Sequence, residues 1–584
     1  MDSTKLDISA KPDKESPSAV YKQIPEVDME EAAVEQSKRV LKAKSNGMEK
    51  DGADEKMLPE DDVKVGDHSK INVADVKFVS NEKQNGDAKV DIGEIKSAFV
   101  GLTKEELLKC ANDPFWVRLR WFLFIFFWLL WAGMLVGAIL IIVAAPKCSP
   151  PEPRTWWEEG PLTEVDADVT EDELKQLKDS GIQGVIVTWP DDVYIPINIS
   201  HKFISFLKRS NETKINVIVD LKPGTSSKWF SKAEDKENDG EFTDYYIWAQ
   251  PKKSTSGEDM APNNWKSRQN TSSWKFSQKL GKYYLSPDDS PQLNFTNPKV
   301  VNEFSNVLHS FIEAGVKGIR LTGAPYLLVD PGFKDDGISQ LIGFGLTDYG
   351  FYTHTNTEYL PDLGRLLNQW REIVKDKAEG GPFMLSESLK DLDAFKVNNS
   401  LVIDLPLQAR VFSSNKQLLA PQINNDLNSV FLILENKYWP LWQHTSSAVP
   451  ENVLNIVTML LPGATLLSKN STISKDLLTI RKSDSVMHGN TDRYLVANNT
   501  VFAYIRLRFA PGNPGYIVMF NPSSERVLVD LPTETSLKFD DVTVQYYSNN
   551  YNETNVVKKK ATDPTKVPLS PESAIVISYV PQSK

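Results

Sequence analysis

Cysteine is nearly absent from this chain, since only two of its 584 residues, Cys110 and Cys148, carry a thiol. Two cysteines cannot build a disulfide framework, and a chain of this length can bury a large core without one. Positive charge is also in deficit: 66 basic against 78 acidic residues give a net charge of −12. Nucleic acid is therefore an improbable main partner, because its binding usually needs a basic face. No cofactor and no metal are expected.

Charge is missing altogether from one stretch, WFLFIFFWLLWAGMLVGAILIIVAA, which runs from Trp121 to Ala145. A helix needs about 20 apolar residues to cross a bilayer, and this run starts too late for a cleaved signal peptide. A buried core helix is the alternative, but such helices rarely run this long without a polar side. We therefore predict a transmembrane signal anchor over residues 115–145. Gly133 and Gly137 would allow close helix contact there, unless they only reflect how common glycine is in spans.

The residues flanking this run predict its orientation. Lys109, Arg118 and Arg120 precede it, whereas Lys147 and Arg154 follow it among acidic residues, so the positive-inside rule places the N-terminus in the cytoplasm. Sequons for N-glycosylation agree, because all of them follow the run. They start at Asn198, Asn211, Asn270, Asn294, Asn398, Asn470, Asn498 and Asn552. The prediction is a type II, single-pass membrane glycoprotein with an extracellular C-terminal part.

Composition divides the rest of the chain. Residues 1–114 are mostly polar and predict a disordered cytoplasmic tail. At its end GLTKEELLKCA predicts a short helix, with Thr103 and Glu106 spaced as a capping box and Cys110 as an ordinary free thiol. Residues 146–155 form a linker that holds Cys148 and the stiff spacer SPPEP.

The extracellular part shows two patterns. Over residues 156–495, apolar strands such as GVIVTW and INVIVDL alternate with helical segments such as HKFISFLKRS. This alternation predicts a (β/α)8 barrel of the TIM type. Over residues 496–584, strands such as VFAYIRLRF and AIVISYV are separated by turns without a helical stretch, which predicts an antiparallel β-sandwich.

Five segments of the predicted barrel stand in a specific order. They are DYYIWAQP, PNNWKS, SSWKFSQKLGKYYLSP, NPKVVNEFSNVLHSFIEAGVKGIRL and VLNIVTMLLPGA. In this order they resemble the α-glucosidase branch of the α-amylase superfamily, from about Trp156 to the C-terminus. Such retaining glycosidases need a carboxylate nucleophile, a carboxylic acid and a second aspartate at the carboxyl ends of barrel strands. The resemblance keeps Asp220 in DLKPGT, Arg320 in GIRLT and Glu387 in FMLSES.

Two of the three carboxylates that the resemblance requires are missing. Thr322 stands in the place of the nucleophile, and Thr445, after His444, stands in the place of the second aspartate. Gly224 and Thr225 replace a family Asn-His pair. Threonine cannot form the usual glycosyl ester, so no enzyme activity is expected and the matched positions are interpreted as vestigial. Glu387 remains either a proton donor or a leftover polar group, and Arg320 lacks the partner that it has in the active family.

A third motif near the family's substrate cleft is altered as well. The family sequence Gln-Pro-Asp-Leu-Asn reads SPQLN here, and its Asn294 opens the sequon NFT. A glycan at this position would encumber the mouth of the cleft.

The membrane region carries a second resemblance. The sequence GLTKEELLKCANDPFWVRLRWFLFIFFWLLWAGMLVGAILIIVAAPKC, with Trp156 and Trp157 after it, resembles the heavy chains of heteromeric amino-acid transporters of the 4F2 antigen type. The resemblance implies an accessory subunit that pairs with a multi-span light subunit at the plasma membrane and also engages integrins. A membrane-anchored α-glucosidase and an adhesion or signalling receptor remain the alternatives.

Cys148 lies three residues beyond the apolar run, on the oxidising side of the predicted span. The bilayer, about 30 Å of hydrocarbon, separates it from Cys110, so an intrachain bridge is excluded. The thiol is therefore either free or bonded to another chain. The resemblance implies the second: the heavy chain's half of an interchain disulfide with the light subunit.

Overall fold

The computed structural model describes residues 104–111, 113–144, 151–235, 240–389, 391–414, 417–445, 448–539 and 541–581. Two compact units divide the chain, Met1–Val143 and Ala144–Lys584. The predictions for the tail before residue 104, for Thr103 of the capping box and for Cys148 lie outside the described residues.

Two helices make up the described part of the first unit. Helix α1, Lys104–Ala111, confirms the short helix predicted from GLTKEELLKCA. Helix α2, Pro114–Ala144, has 31 residues, none of them buried, and a mean hydropathy of 2.5 in its most apolar window. At 1.5 Å per residue it is about 46 Å long, more than the roughly 30 Å of a bilayer's hydrocarbon. By length and composition it is the one described helix that could cross a membrane.

Eight parallel strands form the barrel of the second unit. They are β1 Leu162–Val165, β2 Gly184–Thr188, β3 Asn216–Leu221, β4 Gly318–Leu321, β5 Phe383–Leu385, β6 Leu407–Gln408, β7 Leu441–Gln443 and β8 Ala464–Leu467. The sheet order is β5-β4-β3-β2-β1-β8-β7-β6. The barrel is nearly closed, because Asp404 N–H donates to Phe383 O and Phe383 N–H donates to Asp404 Oδ2 across the remaining gap.

Helices surround these strands and bury their outer faces. They are α3 Trp156–Glu159, α4 Glu171–Asp179, α5 His201–Glu212, α6 Ser227–Ala233, α7 Pro298–Glu313, α8 Leu363–Lys377, α9 Ala420–Ile433, α10 Glu451–Leu460, α11 Lys475–Arg481 and α12 Asp484–His488. Side chains alternate along each strand. In β2, Val185 and Val187 join the core under the helices, whereas Ile186 belongs to a smaller apolar cluster with Leu162 and Ile218 of the neighbouring strands. The (β/α) barrel predicted from the alternating pattern is confirmed.

The connection between β3 and β4 is the longest excursion from the barrel. It carries α6, α7 and two small antiparallel sheets, of which the larger pairs Trp248–Ala249 and Trp274–Ser277 with Lys282–Leu285. Trp265, Trp274 and Phe333 pack together beneath it. This excursion forms part of the wall at the carboxyl ends of the strands.

Antiparallel sheets follow the barrel, as predicted. The strands are β9 Asn490–Val496, β10 Val501–Leu507, β11 Gly515–Asn521, β12 Val527–Val529, β13 Val542–Tyr547, β14 Ala561–Thr562, β15 Val567–Leu569 and β16 Ser573–Tyr579. Six of them form one sheet in the order β9-β10-β11-β16-β13-β14, and β12 pairs with β15. Strand β9 begins at Asn490, so the sheet starts before the predicted boundary at residue 496.

The expectation that this part has no helix is wrong. Helix α13, Leu531–Thr535, lies between β12 and β13. Asp530 accepts a hydrogen bond from Thr533 N–H at 3.2 Å and so caps the helix, and Pro532 occupies its first turn. The segment RVLVDL therefore stops being a strand at Val529, because Asp530 starts a helix instead of continuing the ladder.

Candidate functional site

Four of the six residues predicted from the glycosidase motifs meet at the carboxyl end of β3, β4 and β5. Asp220 and Arg320 are directly paired in register on β3 and β4. Thr322 follows β4, and Glu387 follows β5. Side chains two residues apart in a strand lie on the same face. Asp220 therefore lies on the same inner face of β3 as Ile218.

Arg320 has a partner that the motif comparison did not provide. Its Nη2 and Nε lie 2.7 and 3.0 Å from Asp220 Oδ2, and its Nη1 lies 2.6 Å from Glu164 Oε1 on β1. Asp220 and Arg320 are 5% and 7% exposed. Burial alone would lower the pKa of Arg320, but the two carboxylates raise it above its usual value. The guanidinium therefore stays charged. One buried ion pair, extended by Glu164, closes this end of the barrel.

Thr322 is fixed by hydrogen bonds on two sides. Its hydroxyl donates to Asp220 Oδ1 at 2.8 Å and lies 2.9 Å from the hydroxyl of Ser386. Ser386 Oγ is in turn 3.1 Å from Glu387 Oε1. A hydroxyl held in this way is neither ionised nor aimed at free space. The Thr322 side chain is thus held in place at the end of β4.

Glu387 is held by the backbone after β4. Its Oε1 accepts a hydrogen bond of 2.6 Å from Gly323 N–H, whereas its buried Oε2 has no partner among the described residues. Burial raises the pKa of Glu387, against the effect of the bonds from Gly323 and Ser386. The carboxyl is therefore easier to protonate than a free one, as a general acid requires. The carboxylate of Asp220 also raises the pKa of Glu387, in smaller part.

His444 and Thr445 are bonded elsewhere. His444 Nε2 lies 2.7 Å from Asn455 Oδ1 on α10, and burial lowers the pKa of the imidazole. Thr445 is exposed after β7, where its N–H donates to Ser413 Oγ at 3.1 Å. Neither residue bonds to the cluster of Asp220, Arg320, Thr322 and Glu387.

The space above Thr322 is small. It is lined by Gly224 and Thr225 from the altered strand-3 motif and by Gln292 from SPQLN. The cavity volume is about 40 Å³, and a single water needs roughly 10–15 Å³. Gln292 is 6% exposed and donates from Nε2 to Tyr326 O at 2.7 Å. Gln292 thus fixes the loop after β4.

Two residues of this site were missed by motif comparison. Glu164 could have been found from a lone acidic residue in the apolar strand LTEV. The role of Gln292 depends on the course of the loop around Tyr326, for which the sequence holds no signal. Within the described residues, no group of three or more His, Cys, Asp or Glu side chains is arranged to hold a metal ion.

Solved structures define the class of the fold. The chain is similar to an α-glucosyl transfer enzyme, XgtA, with a TM-score of 0.58 and 14% identity over 73% of this chain and 100% of that chain. An isomaltulose synthase from Erwinia rhapontici gives a TM-score of 0.57 and 16% identity over 74% and 100%. Residues 200–430 match the α-amylase catalytic domain family. The second unit therefore has the α-amylase fold.

Curated relatives point to a narrower class. Residues 87–163 match the family described as solute carrier family 3 member 2 N-terminus. The amino acid transporter heavy chain SLC3A2 of Mus musculus is 46% identical over 87 residues, 14% of this chain and 16% of the relative. That of Oryctolagus cuniculus is 33% identical over 183 residues, 25% and 34%. Maltase A1 of Drosophila melanogaster is 30% identical over 271 residues, 38% and 45%.

These matches span less than half of the length of each of these curated relatives. Together they join two features in one chain: an N-terminal segment of the transporter heavy-chain type and an α-amylase domain. The resemblance to transporter heavy chains with a glucosidase-like second unit, inferred from the motifs, is thereby confirmed. One apolar helix within the heavy-chain segment fits a single-pass membrane protein.

Proposed function

We propose that this protein is the non-catalytic heavy subunit of a heteromeric amino-acid transporter. The observation that carries the proposal is the hydrogen bond between Thr322 and Asp220 at the end of β4, within a chain whose N-terminal segment matches the heavy chains. A transport path needs several spans, and a single helix of the length of α2 cannot form one. The heavy chain delivers its light subunit to the plasma membrane and stabilises it there.

The loss of catalysis follows from the chemistry of retaining glycosidases. Those enzymes place a nucleophile and an acid about 5–5.5 Å apart around the scissile bond. Here Thr322 cannot form the glycosyl ester, and Asp220 is occupied by Arg320 and by the Thr322 hydroxyl. Glu387 is a vestige of the acid and has no partner in catalysis.

The proposed topology is type II, with α2 as the signal anchor. Gly133 and Gly137 lie one helical turn apart on α2, and their lack of side chains supports a close approach of the light subunit's helices. Cys148 follows α2 by four residues and forms the interchain disulfide with the light subunit near the outer membrane face. The sequons carry glycans on the extracellular side.

Identification of the proteins that co-purify with the full chain in mild detergent tests this function. We expect a multi-span amino-acid transporter in roughly equal amount, and amino-acid uptake that falls when the chain is depleted from the cells. Recovery of integrins without any transporter would instead favour the receptor alternative. Hydrolysis of maltose by the purified chain, abolished by Glu387→Gln, would contradict the loss of catalysis.

A further inference from the structure

A basic cleft lies between the amino-terminal end of the barrel and the C-terminal sheet. Its walls come from the segments before β7 and β8, from the end of α9, and from β9 and β10. The cleft has a volume of about 270 Å³, and a single water needs roughly 10–15 Å³. The cleft lies at the opposite end of the strands from Thr322 and is therefore separate from the vestigial site.

Positive charge dominates this cleft. Arg154, Arg493, Arg506 and Lys437 line it, and none of the lining residues is an aspartate or glutamate. Arg154 alone has a carboxylate partner, Glu158 Oε1 at 3.2 Å. The other two guanidinium groups meet neutral acceptors.

Arg493 and Arg506 stand on β9 and β10. Arg493 Nη2 donates to Asn428 Oδ1 at 2.9 Å, and Arg506 donates to the Thr491 hydroxyl and to Val486 O. Burial, and in smaller part the neighbouring Arg481 and Arg154, lowers the pKa of Arg506 to about 9. A buried cation without a counter-ion costs free energy, so its retention calls for an explanation.

Three guanidinium N–H groups in this cleft lack a partner. Arg154 Nε, Arg493 Nη1 and Arg506 Nε are buried and meet no acceptor among the described residues. Arg506 as a whole is 1% exposed. Buried polar groups are nearly always hydrogen-bonded, and charged donors more strictly so. Three unpaired cationic donors on side chains that line one cleft favour an acceptor that carries negative charge.

We propose that the basic cleft binds a phosphate-class oxyanion. Guanidinium groups match the oxygens of such an anion with paired N–H donors, and its charge would offset the buried cations. The indole of Trp439, with Arg154 4.1 Å from its ring centroid, holds one donor in place. Two sources share this chemistry: free phosphate, and the phosphate of an anionic lipid headgroup. Arg154 follows the last residue of α2 by ten residues, so only a short stretch of sequence separates it from the helix that would contact lipid.

Titration calorimetry on the full chain in detergent tests the proposal, with inorganic phosphate against chloride at constant ionic strength. We expect phosphate to bind, and Arg493→Gln and Lys437→Gln each to weaken binding at least roughly tenfold, as loss of a charged hydrogen bond or ion pair does. Lys437 is exposed, so its variant keeps the test valid if Arg493→Gln does not fold. Arg365→Gln is the matched control, because Arg365 is 73% exposed and pairs with Asp362 at the surface.

A second titration distinguishes the sources with soluble short-chain phosphatidic acid and phosphatidylcholine. Phosphatidic acid that binds where inorganic phosphate does not, and loses binding with Lys437→Gln, would assign the cleft to lipid headgroups. Binding of both inorganic phosphate and phosphatidic acid would show that the phosphate group suffices. If neither inorganic phosphate nor phosphatidic acid binds, or if both cleft variants bind as tightly as Arg365→Gln, the proposal is wrong.

Discussion

The hydroxyl of Thr322 and the carboxylate of Asp220 share a bond of 2.8 Å, and the same carboxylate accepts two bonds from Arg320. Both oxygens of Asp220 are therefore engaged by neighbouring side chains. Removing one partner of a buried ion pair is costly, because the other charge then stays buried alone. The pair of Asp220 and Arg320 therefore stabilises the end of the barrel at β3 and β4.

We expect the double variant Thr322→Asp and Thr445→Asp to remain inactive as a glucosidase. The new carboxylate at position 322 would lie beside Asp220, while Gln292 still fixes the loop that narrows the cavity. Catalytic groups must be held to within about half an ångström. Release of glucose from maltose by the full chain in detergent measures the outcome, with the unchanged protein as control. Turnover near that of ordinary maltases would contradict the proposed remodelling of the pocket.

Glu387→Gln should stabilise the protein at alkaline pH by about 1 kcal/mol, because it removes a buried charge whose Oε2 is unpartnered. The folded-state pKa of Glu387 is raised, so its stabilising contribution is present at low pH and is lost as pH rises through that pKa. The gain from glutamine should accordingly grow between acidic and alkaline pH in thermal unfolding. Glu313→Gln, at an exposed position at the end of α7, is the control and should show no such trend. A loss of stability at all pH values would contradict the description of Glu387 as a buried charge with an unpartnered oxygen.

At the scale of residues, four of the six motif positions meet, whereas the other two bond elsewhere, and the sequence did not predict how the four bond. Asp220, Arg320, Thr322 and Glu387 were placed together because barrel strands end at one face. The pairing of Arg320 with Glu164 was missed, because β1 and β4 are separated by two other strands in the sheet. Such a contact depends on the reach of one side chain across the barrel interior, which no motif records.

At the scale of secondary-structure elements, helix α3 is held against the barrel by one buried, positively charged side chain. Arg481 on α11, 2% exposed, donates to the carbonyl oxygens of Glu158 and Glu159 on α3 and to those of Met459, Leu461 and Gly463 before β8. Burial lowers the pKa of Arg481 to about 10. The five carbonyl groups take the place of a counter-ion, so this side chain fixes the point where the chain enters the barrel.

Arg481→Met should destabilise the second unit by roughly 3 kcal/mol or more, because several buried carbonyl groups lose their donor at once. Thermal unfolding of the full chain should show a lower midpoint. Lys475→Met on the same helix is the matched control, since Lys475 is exposed and should change the midpoint little. Equal midpoints for both variants would mean that α3 is held by its tryptophans alone.

Element prediction succeeded where burial decides the structure. Strands β2 and β3 were predicted from the apolar segments GVIVTW and INVIVDL, and each was located to within one residue of its observed bounds. Helix α13 was missed because its five residues give no periodicity, and only Asp530 as a cap identifies it. Strand β9 was missed because its sequence NTDRYLV mixes charged with apolar residues in a half-exposed sheet.

For the whole molecule, the distribution of sequons gives a test of topology. Seven of the eight asparagines are exposed: Asn198, Asn211, Asn270, Asn398, Asn470, Asn498 and Asn552. Asn294 is half-buried, and its Oδ1 accepts the Thr296 hydroxyl at 2.6 Å. Glycosidase treatment of intact cells should lower the apparent mass, and extracellular protease should leave a fragment that ends near α2. Glycans before α2, or none at all, would contradict the type II orientation.

The interchain disulfide is the prediction that joins the whole molecule to its partner. Cys148 follows the last residue of α2 by four residues, and the α-amylase unit that follows it in the chain contains no cysteine. On an oxidising side of the membrane such a thiol is capped, oxidised or bonded to a second chain. A bridge at this point would hold two subunits together near the outer membrane face.

Cys148→Ser should therefore abolish the high-mass band on non-reducing gels, while Cys110→Ser, the control on the reducing side, leaves it unchanged. Surface delivery and amino-acid uptake should fall only in part, because packing of the span and of the second unit against the light subunit does not depend on the covalent bond. A disulfide mainly restricts the separated state, so its loss lowers the stability of a complex without removing its contacts. If the band survives in Cys148→Ser and still disappears with reductant, another cysteine carries the bridge and the assignment of Cys148 is wrong.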